Sequence, residues 1–390
     1  MAQVRINDCE IYQDDLKTSF EHVVDSNKIY KKIVMITGAT GTIGSFIVDT
    51  LMRANRDKGS DITVVACGRS KSKLRDRFDF WKNEEKKGLL IYATLDILDD
   101  KLVDILEDDL GKDIAIDCVI HAAGNAYPSA FIDHSEETVK GNILGTKRLI
   151  DFAAKYGCKR FVYVSSGEAV SVKPEDEKVI MELYEKTAGN NLYDDYYREV
   201  LKLVVSKGAR YCYPISKVAA EKMCLEKNDR NYSDISFLVV RPCHTFGPGI
   251  TGDDDRAHVQ FAQKAVHKEN IILNSAGSQL RSYNYVADAA SAILSVLSSG
   301  NKETIYDICS KDNVITIKGL AEIIGEVSNV QVVVNAPDER DAILQSPIKR
   351  QVLDASKLIE LGWSSAFDIK SGVRHYIEIL NYVGENKHGI

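Results

Sequence analysis

Tyr213 and Lys217 stand four residues apart in Tyr-Pro-Ile-Ser-Lys, a spacing that sets both side chains on one face of a helix. A tyrosine with its ordinary pKa of about 10 is a poor base at neutral pH. A cationic neighbour favours the phenolate and lowers that value. Upstream, the apolar run Arg160–Val164 is followed by Ser165, Ser166, Gly167 and Glu168. A phenol with its pKa lowered by an ammonium is suited to act as a general base.

A third stretch says what could take the electrons. Ile33, Val34, Met35 and Ile36 form a short apolar run, followed by glycines at 38, 41 and 44 and by Ile43, Phe46, Ile47 and Leu51 at helical spacing. Strand, glycine turn and helix N-terminus together make an anion cradle, in which backbone N–H groups and the helix dipole face a diphosphate. Gly38, Thr40, Gly41, Thr42, Ile43 and Gly44 are therefore expected to bind a dinucleotide, with Tyr213 and Lys217 at its nicotinamide end, where its positive charge also favours phenolate. The next strand, Asp61–Cys67, runs into Gly68, Arg69, Ser70 and Lys71 without the acid that holds the ribose hydroxyls of NAD. Arg69 and Ser70, with Lys71 and Lys73 nearby, favour a 2′-phosphate, so NADP is expected over NAD. Stacking of Arg69 on adenine is the other reading. Asp96 and Ile97 are expected at the adenine.

These residues need a scaffold. Strand-like runs at Ile62–Cys67, Leu89–Ala93, Cys118–His121, Arg160–Val164 and Phe237–Val240 alternate with helical stretches Leu102–Leu110, Val139–Tyr156 and Ile215–Leu225. The alternation predicts an α/β fold: a Rossmann-type doubly wound parallel sheet with a smaller C-terminal α/β substrate lobe. The expected domains are an extension over 1–30, a nucleotide domain over 31–240 and a lobe over 241–390 with segments returning to the sheet. The extension, with a short helix around Asp15–Val24, could pack or stay mobile. The charged, tyrosine-rich stretch 174–199 reads as a helical insertion near the site mouth or a surface hairpin. In a chain of 390 residues with net charge -7 and no basic tract, nucleic-acid and anionic-membrane binding are not expected. No apolar run reaches membrane-spanning length, and Met1–Glu10 does not read as a leader. Eight cysteines without C-x-x-C spacing fit a reducing cytoplasm, and eight scattered histidines predict no metal site.

The motifs in their order resemble an extended short-chain dehydrogenase/reductase of the nucleotide-sugar epimerase/dehydratase family. They are Thr37–Gly44, His121–Gly124, Asn142–Thr146, Ser165–Glu168, Tyr213–Lys217, Arg241–Pro248, Gln279–Val286 and Leu361–Trp363. The resemblance implies that Ser166 hydrogen-bonds the sugar O4, Tyr213 removes its proton, and the C4 hydride passes to NAD(P). It implies a cofactor loop at Ala122, Ala123 and Gly124, and substrate contacts from Asn125, His244, Arg256 and Arg281, with Arg281 on the diphosphate. Asn142 shapes the active-site helix, and His121 packs beneath the cofactor loop. Glu168 fits the dehydratase and UDP-glucuronate decarboxylase pattern, as a base at C5 or as a group that orients the ring; a structural carboxylate that caps a loop is the other reading. Gly167 replaces the aspartate proton donor of dTDP-glucose dehydratases, and the segments Arg210–Lys217 and Ala220–Cys224 look closest to the decarboxylase branch. His244 replaces a common asparagine, and the stretch between Ser166 and Tyr213 is longer than usual. After C4 oxidation the expected outcomes are elimination, decarboxylation or epimerisation. The alternatives are an NADPH-dependent 4-keto-sugar reductase and a non-catalytic sensor. A homodimer through the helices at Asn142–Tyr156 and Tyr213–Leu225 is also implied.

Overall fold

A computed structural model describes residues 5–229, 232, 234–249, 254–302, 304–335 and 348–385. Seven parallel strands form the central sheet: β1 Ile33–Thr37, β2 Thr63–Gly68, β3 Leu90–Thr94, β4 Cys118–His121, β5 Arg160–Val164, β6 Ser236–Pro242 and, much later in the chain, Ile305–Ile308. Their order from one edge is Ile305–Ile308, β6, β5, β4, β1, β2, β3. Direction reverses between β1 and β4, the crevice where open α/β sheets bind ligands. Both faces are apolar. Val34 and Ile36 enter one core while Met35, between them, enters the other.

The helices that matter to the site are α1 Glu10–Glu21, α2 Thr42–Lys58, α3 Lys71–Phe78, α4 Leu102–Leu110, α5 Ser135–Lys140, α6 Thr146–Lys155, α7 Pro174–Lys186, α8 Tyr193–Lys207, α9 Cys212–Asp229, α10 Val286–Ser299 and α11 Ile369–Glu385. The helix expected over Val139–Tyr156 is three pieces, because a wide π turn at Gly141–Gly145 separates α5 from α6. Beyond β6, His244–Phe246 pairs with Leu280–Tyr285, which also pairs with Val314–Thr316 and Arg350–Gln351 in a small second sheet.

Residues 5–30 pack into the fold. Leu16 and Phe20 of α1 are buried in the core that α2 and α10 share. Asp49 of α2, fully buried, accepts hydrogen bonds from Asn7, Tyr12, Arg77 and Trp81. Asp15 accepts from Tyr285 at 2.5 Å and pairs with His375 of α11 at 2.7 Å, which ties the extension to the C-terminal helix.

The stretch expected as a single insertion over 174–199 is the two-helix hairpin α7–α8, reaching to Lys207. It is not a solvated appendage. Tyr184, Tyr193 and Tyr196 are buried, and the hairpin shares a core with Val139, Ile143, Tyr213, Ile215 and Ala219. From Cys212 to Glu226 no residue of α9 is exposed. The face of α9 implied to receive a second copy is packed against the chain's own hairpin. The physical reason is the apolar side of α7 and α8, which must be buried against something.

Candidate active site

The site is built at the C-terminal ends of β1, β2, β4 and β5. Chain leaves β1 through Gly38 at φ +68°, and a Cβ there would lie 2.8 Å from the Ala122 carbonyl oxygen. A Cβ on Gly44 would lie 2.3 Å from the carbonyl oxygen of Gly38, so α2 packs against the turn only because both are glycine. Beneath the turn, the Thr37 hydroxyl accepts from the backbone N–H groups of Ala122 and Ala123 at 3.1 Å each. His121 lies 2.8 Å from that hydroxyl through Nδ1 and 3.1 Å from Thr146 through Nε2. Burial lowers the His121 pKa to about 3, so the ring is neutral and structural.

A cavity of about 1400 Å³ runs from this turn across the sheet edge. Its wall includes Gly38, Thr40, Gly41, Thr42, Ile43, Gly44, Arg69, Ser70, Asp96, Ile97, Ala122, Ala123 and Gly124 on one side. On the other are Asn125, Ser166, Glu168, Tyr213, Lys217, His244, Arg256 and Arg281. Of the residues singled out from the sequence for the site, these lie on this one cavity, while Lys71 and His121 do not.

At the β2 end, Ser70 caps α3, accepting from the Lys73 N–H at 3.4 Å. Lys71, expected beside the cofactor, is instead paired with Asp109 at 2.5 Å. Lys73 lies on the cavity, and so does Arg77 one turn later on α3.

At the catalytic end, Tyr213 and Lys217 project from the first turns of α9, 7% and 4% exposed. Lys217 Nζ donates to the Val164 carbonyl at 3.0 Å and lies 5.7 Å from the Tyr213 ring centroid. Asn142, in the π turn, donates to Ser216 at 2.8 Å and so locks α5 and its continuation to α9. Burial lowers the Lys217 pKa to about 8, against the pull of the Glu221 carboxylate. The phenol departs from expectation. Burial pushes Tyr213 up to about 12, a hydrogen bond from Ser166 pulls it down, Glu168 raises it, and Arg256 and Arg210 lower it. Desolvation therefore outweighs the cationic neighbours, and the phenol is protonated at neutral pH.

Two charged groups were missed as site residues. Arg210, three residues before Tyr213, grips both oxygens of Glu168. Glu221, one turn after Lys217, is 2% exposed and accepts from Ser165 and from Arg241 at 2.8 and 2.5 Å. The i,i+4 spacing of Lys217 and Glu221 was the available signal for the second; Arg210 had none beyond its nearness to Tyr213. Among the expected substrate residues, Asn125 donates to Thr138 at 3.0 Å, His244 meets Gln351 at 3.1 Å, and Arg256 is held by Asp254 at 2.9 Å. Burial lowers the His244 pKa to about 4. Arg281 is 2% exposed, and its two Nη atoms already donate to the carbonyls of Leu280 at 2.9 Å and Ile348 at 2.6 Å. Its fork is therefore partly occupied by backbone, so a diphosphate would have to share it.

Among the described residues, no group of three or more His, Cys, Asp or Glu could hold a metal ion. No described helix is long and apolar enough to cross a membrane.

A family model described as the NAD dependent epimerase/dehydratase family matches residues 34–309. UDP-glucuronic acid decarboxylase 1 of Danio rerio is 24% identical over 358 residues, covering 90% of this chain and 73% of that protein. A UDP-glucose 4-epimerase from Thermotoga maritima, solved with UDP-glucose, superposes with a TM-score of 0.67 at 20% identity, covering 90% of this chain and 99% of that one. A dTDP-glucose 4,6-dehydratase from Bacillus anthracis, solved with NAD, gives a TM-score of 0.64 at 16% identity, covering 91% and 98%.

Proposed function

Since the chain belongs to the NAD dependent epimerase/dehydratase family, we propose that it oxidises a nucleotide-diphosphate sugar at C4, beside a tightly held nicotinamide cofactor. The 4-keto sugar then reacts further. The observation that carries the reading is the single cavity joining the glycine turn to Ser166, Tyr213 and Lys217.

The residues fit the cofactor: a backbone cradle that any Cβ at Gly38 or Gly44 would fill, an open helix N-terminus, and a lysine beside the phenol. Gly38–Gly44 would hold the diphosphate, Asp96 and Ile97 the adenine, and Lys217 the nicotinamide ribose. When bound, the cofactor supplies the hydride acceptor for C4 and a positive charge near Tyr213. Ser166 hydrogen-bonds O4, and Tyr213 takes the O4 proton. Ketone formation at C4 then weakens the bonds around C5. In a sugar with a C5 carboxylate, breaking the bond to that carboxylate releases carbon dioxide. The electron pair is left on the enolate, C5 gains a proton, and C4 then takes the hydride back, so that no net oxidation remains. Decarboxylation is the branch we favour, because Gly167 offers no acid for dehydration and a curated relative is named a UDP-glucuronic acid decarboxylase.

For the cofactor we favour NADP, since Arg69, Ser70 and Lys73 line the cavity after β2 and no acid stands there. The same cations support a second reading, a 4-keto-sugar reductase that exchanges NADPH with solution. Purified protein given a panel of nucleotide sugars without added cofactor, with products followed by mass and NMR, decides between them. Conversion without added cofactor supports internal redox; conversion only with NADPH supports the reductase. No conversion of any nucleotide sugar under either condition contradicts both. A reducing cytoplasm suits the cysteines, which are buried and free of disulfides.

A further inference from the structure

Glu168 does not stand alone in the cavity. Arg210 Nη1 donates to its Oε2 at 2.9 Å, and Nη2 donates to Oε1 at 3.1 Å. The two side chains are 18% and 15% exposed, so water screens this pair far less than a surface pair. A guanidinium fork fixes direction as well as charge. Arg210 is itself held from two further sides. Its Cζ lies 5.0 Å from the centroid of the Phe131 ring, and Phe131 stacks on Tyr213 with centroids 4.9 Å apart and planes 9° from parallel. On the backbone side, Arg210 lies in the turn Ala209–Tyr211 that follows α8. Lys207 at the end of α8 pairs with Asp176 in the first turn of α7 at 2.6 Å. The long stretch between Ser166 and Tyr213 thus returns a cation to the carboxylate two residues beyond Ser166.

We propose that Arg210 is a positioning residue: delivered by the α7–α8 hairpin, it fixes the Glu168 carboxylate in the direction from which it meets the ring of the 4-keto sugar. With both oxygens engaged by the fork, Glu168 orients the ring while the C5 substituent departs, and is not the group that takes a proton from C5. The inference rests on the reading of this cavity as a site of C4 oxidation. It says which of the roles open to Glu168 this chain uses, and which residue sets it.

The test is a double-mutant cycle on the full chain, with UDP-glucuronate, UDP-glucose and dTDP-glucose as probes and the cycle run on whichever is converted. Glu168→Gln and Arg210→Gln are each expected to lower kcat by about 100-fold, the scale of a substrate misplaced by about an ångström from its reacting geometry. KM should stay within about twofold, as for a group that acts after binding. The double variant should fall no further than the worse single one, because the two act as a unit. Arg210→Lys, which keeps the charge and loses the fork, should recover part of the loss. Losses that multiply, an effect on KM alone, or an Arg210→Gln variant within about twofold of wild type would overturn the inference and leave the proposed reaction standing. A wild-type chain that converts none of the three probes sinks both. If Arg210→Gln fails to fold because Glu168 is left buried without its partner, the cycle is run with Arg210→Lys, and the same additivity decides.

Discussion

Tyr213 feels opposing influences, and their balance makes the cofactor part of the base. Burial pushes the phenol up to about 12, with Glu168 adding to the rise, while Ser166, Arg256 and Arg210 pull it down. These side chains leave the phenol well above neutrality, and a positive nicotinamide beside it would lower the value further. Tyr213→Phe is expected to lower kcat by about 1000-fold with dinucleotide affinity unchanged, measured by turnover and by titration of bound cofactor. Because the deprotonated phenol is the active form, kcat/KM should rise with pH from 6 toward 8. Above that, Lys217, with its pKa lowered to about 8, loses its charge. A profile flat or falling from pH 6 to 8 would contradict this assignment. Arg69→Ala should shift preference from NADP toward NAD by about tenfold, roughly the 1.4 kcal/mol expected of one charge-assisted contact, read from the two dissociation constants. At this scale much was legible, because the residues of a strand–turn–helix cradle and a Tyr-x-x-x-Lys pair must sit at fixed spacings. The fork between Arg210 and Glu168 was not, because it joins residues 42 apart through the fold of a hairpin. The height of the phenol pKa also escaped, since desolvation belongs to the surroundings and not to the neighbour in sequence.

The elements show the same division. β4, β5 and the helix at Leu102–Leu110 match the sequence reading end to end, since short apolar runs bounded by turn residues leave few alternatives. The π turn at Gly141–Gly145 was hidden inside a helical pattern. Both its glycines face the loop after β3 closely: a Cβ on Gly141 or Gly145 would approach Ile97 to 2.8 or 2.7 Å, a tertiary contact that the helical pattern does not display. Gly44→Ala should cost ~3 kcal/mol and weaken dinucleotide binding, since the backbone of the turn cannot yield 2.3 Å contacts cheaply. Thermal melts with and without cofactor would check it, and an unchanged pair of melting temperatures would speak against the cradle. On α10, Asp288 accepts the N–H groups of Ala366 and Phe367 at 2.7 and 3.2 Å, yet burial still raises its carboxyl to about 7. The folded chain then holds that proton more tightly than the unfolded one, whose carboxyl titrates near 4. Its stabilising contribution is complete below about pH 4 and is lost as pH rises toward 7. Asp288→Asn should flatten stability against pH across that window, as read from denaturant midpoints. A slope equal to that of wild type would mean that the group is ionised throughout.

For the whole molecule, the covering of α9 matters most. The helix has no exposed residue from Cys212 to Glu226, and the hairpin of the same chain shares its core. The chain is therefore expected to sediment as a single 43.4 kDa species at micromolar concentration. A stable dimer that persists on dilution would show that another face pairs. This part of the molecule was not readable in advance, because Tyr184, Tyr193 and Tyr196 look the same in a solvated hairpin as in a packed one. The same holds for residues 5–30, whose docking depends on Asp49 and Asp15, each of which reads as an ordinary surface acid in sequence. The central claim is that a sugar carbon loses hydride inside this cavity, and it is tested most directly by a C4-deuterated nucleotide sugar. With UDP-glucuronate labelled at C4 and no added cofactor, the account predicts slower conversion than with the unlabelled sugar and transient absorbance of reduced nicotinamide, both lost in Tyr213→Phe. Equal rates for the two sugars, with no reduced nicotinamide at any time and full activity in Tyr213→Phe, would contradict it.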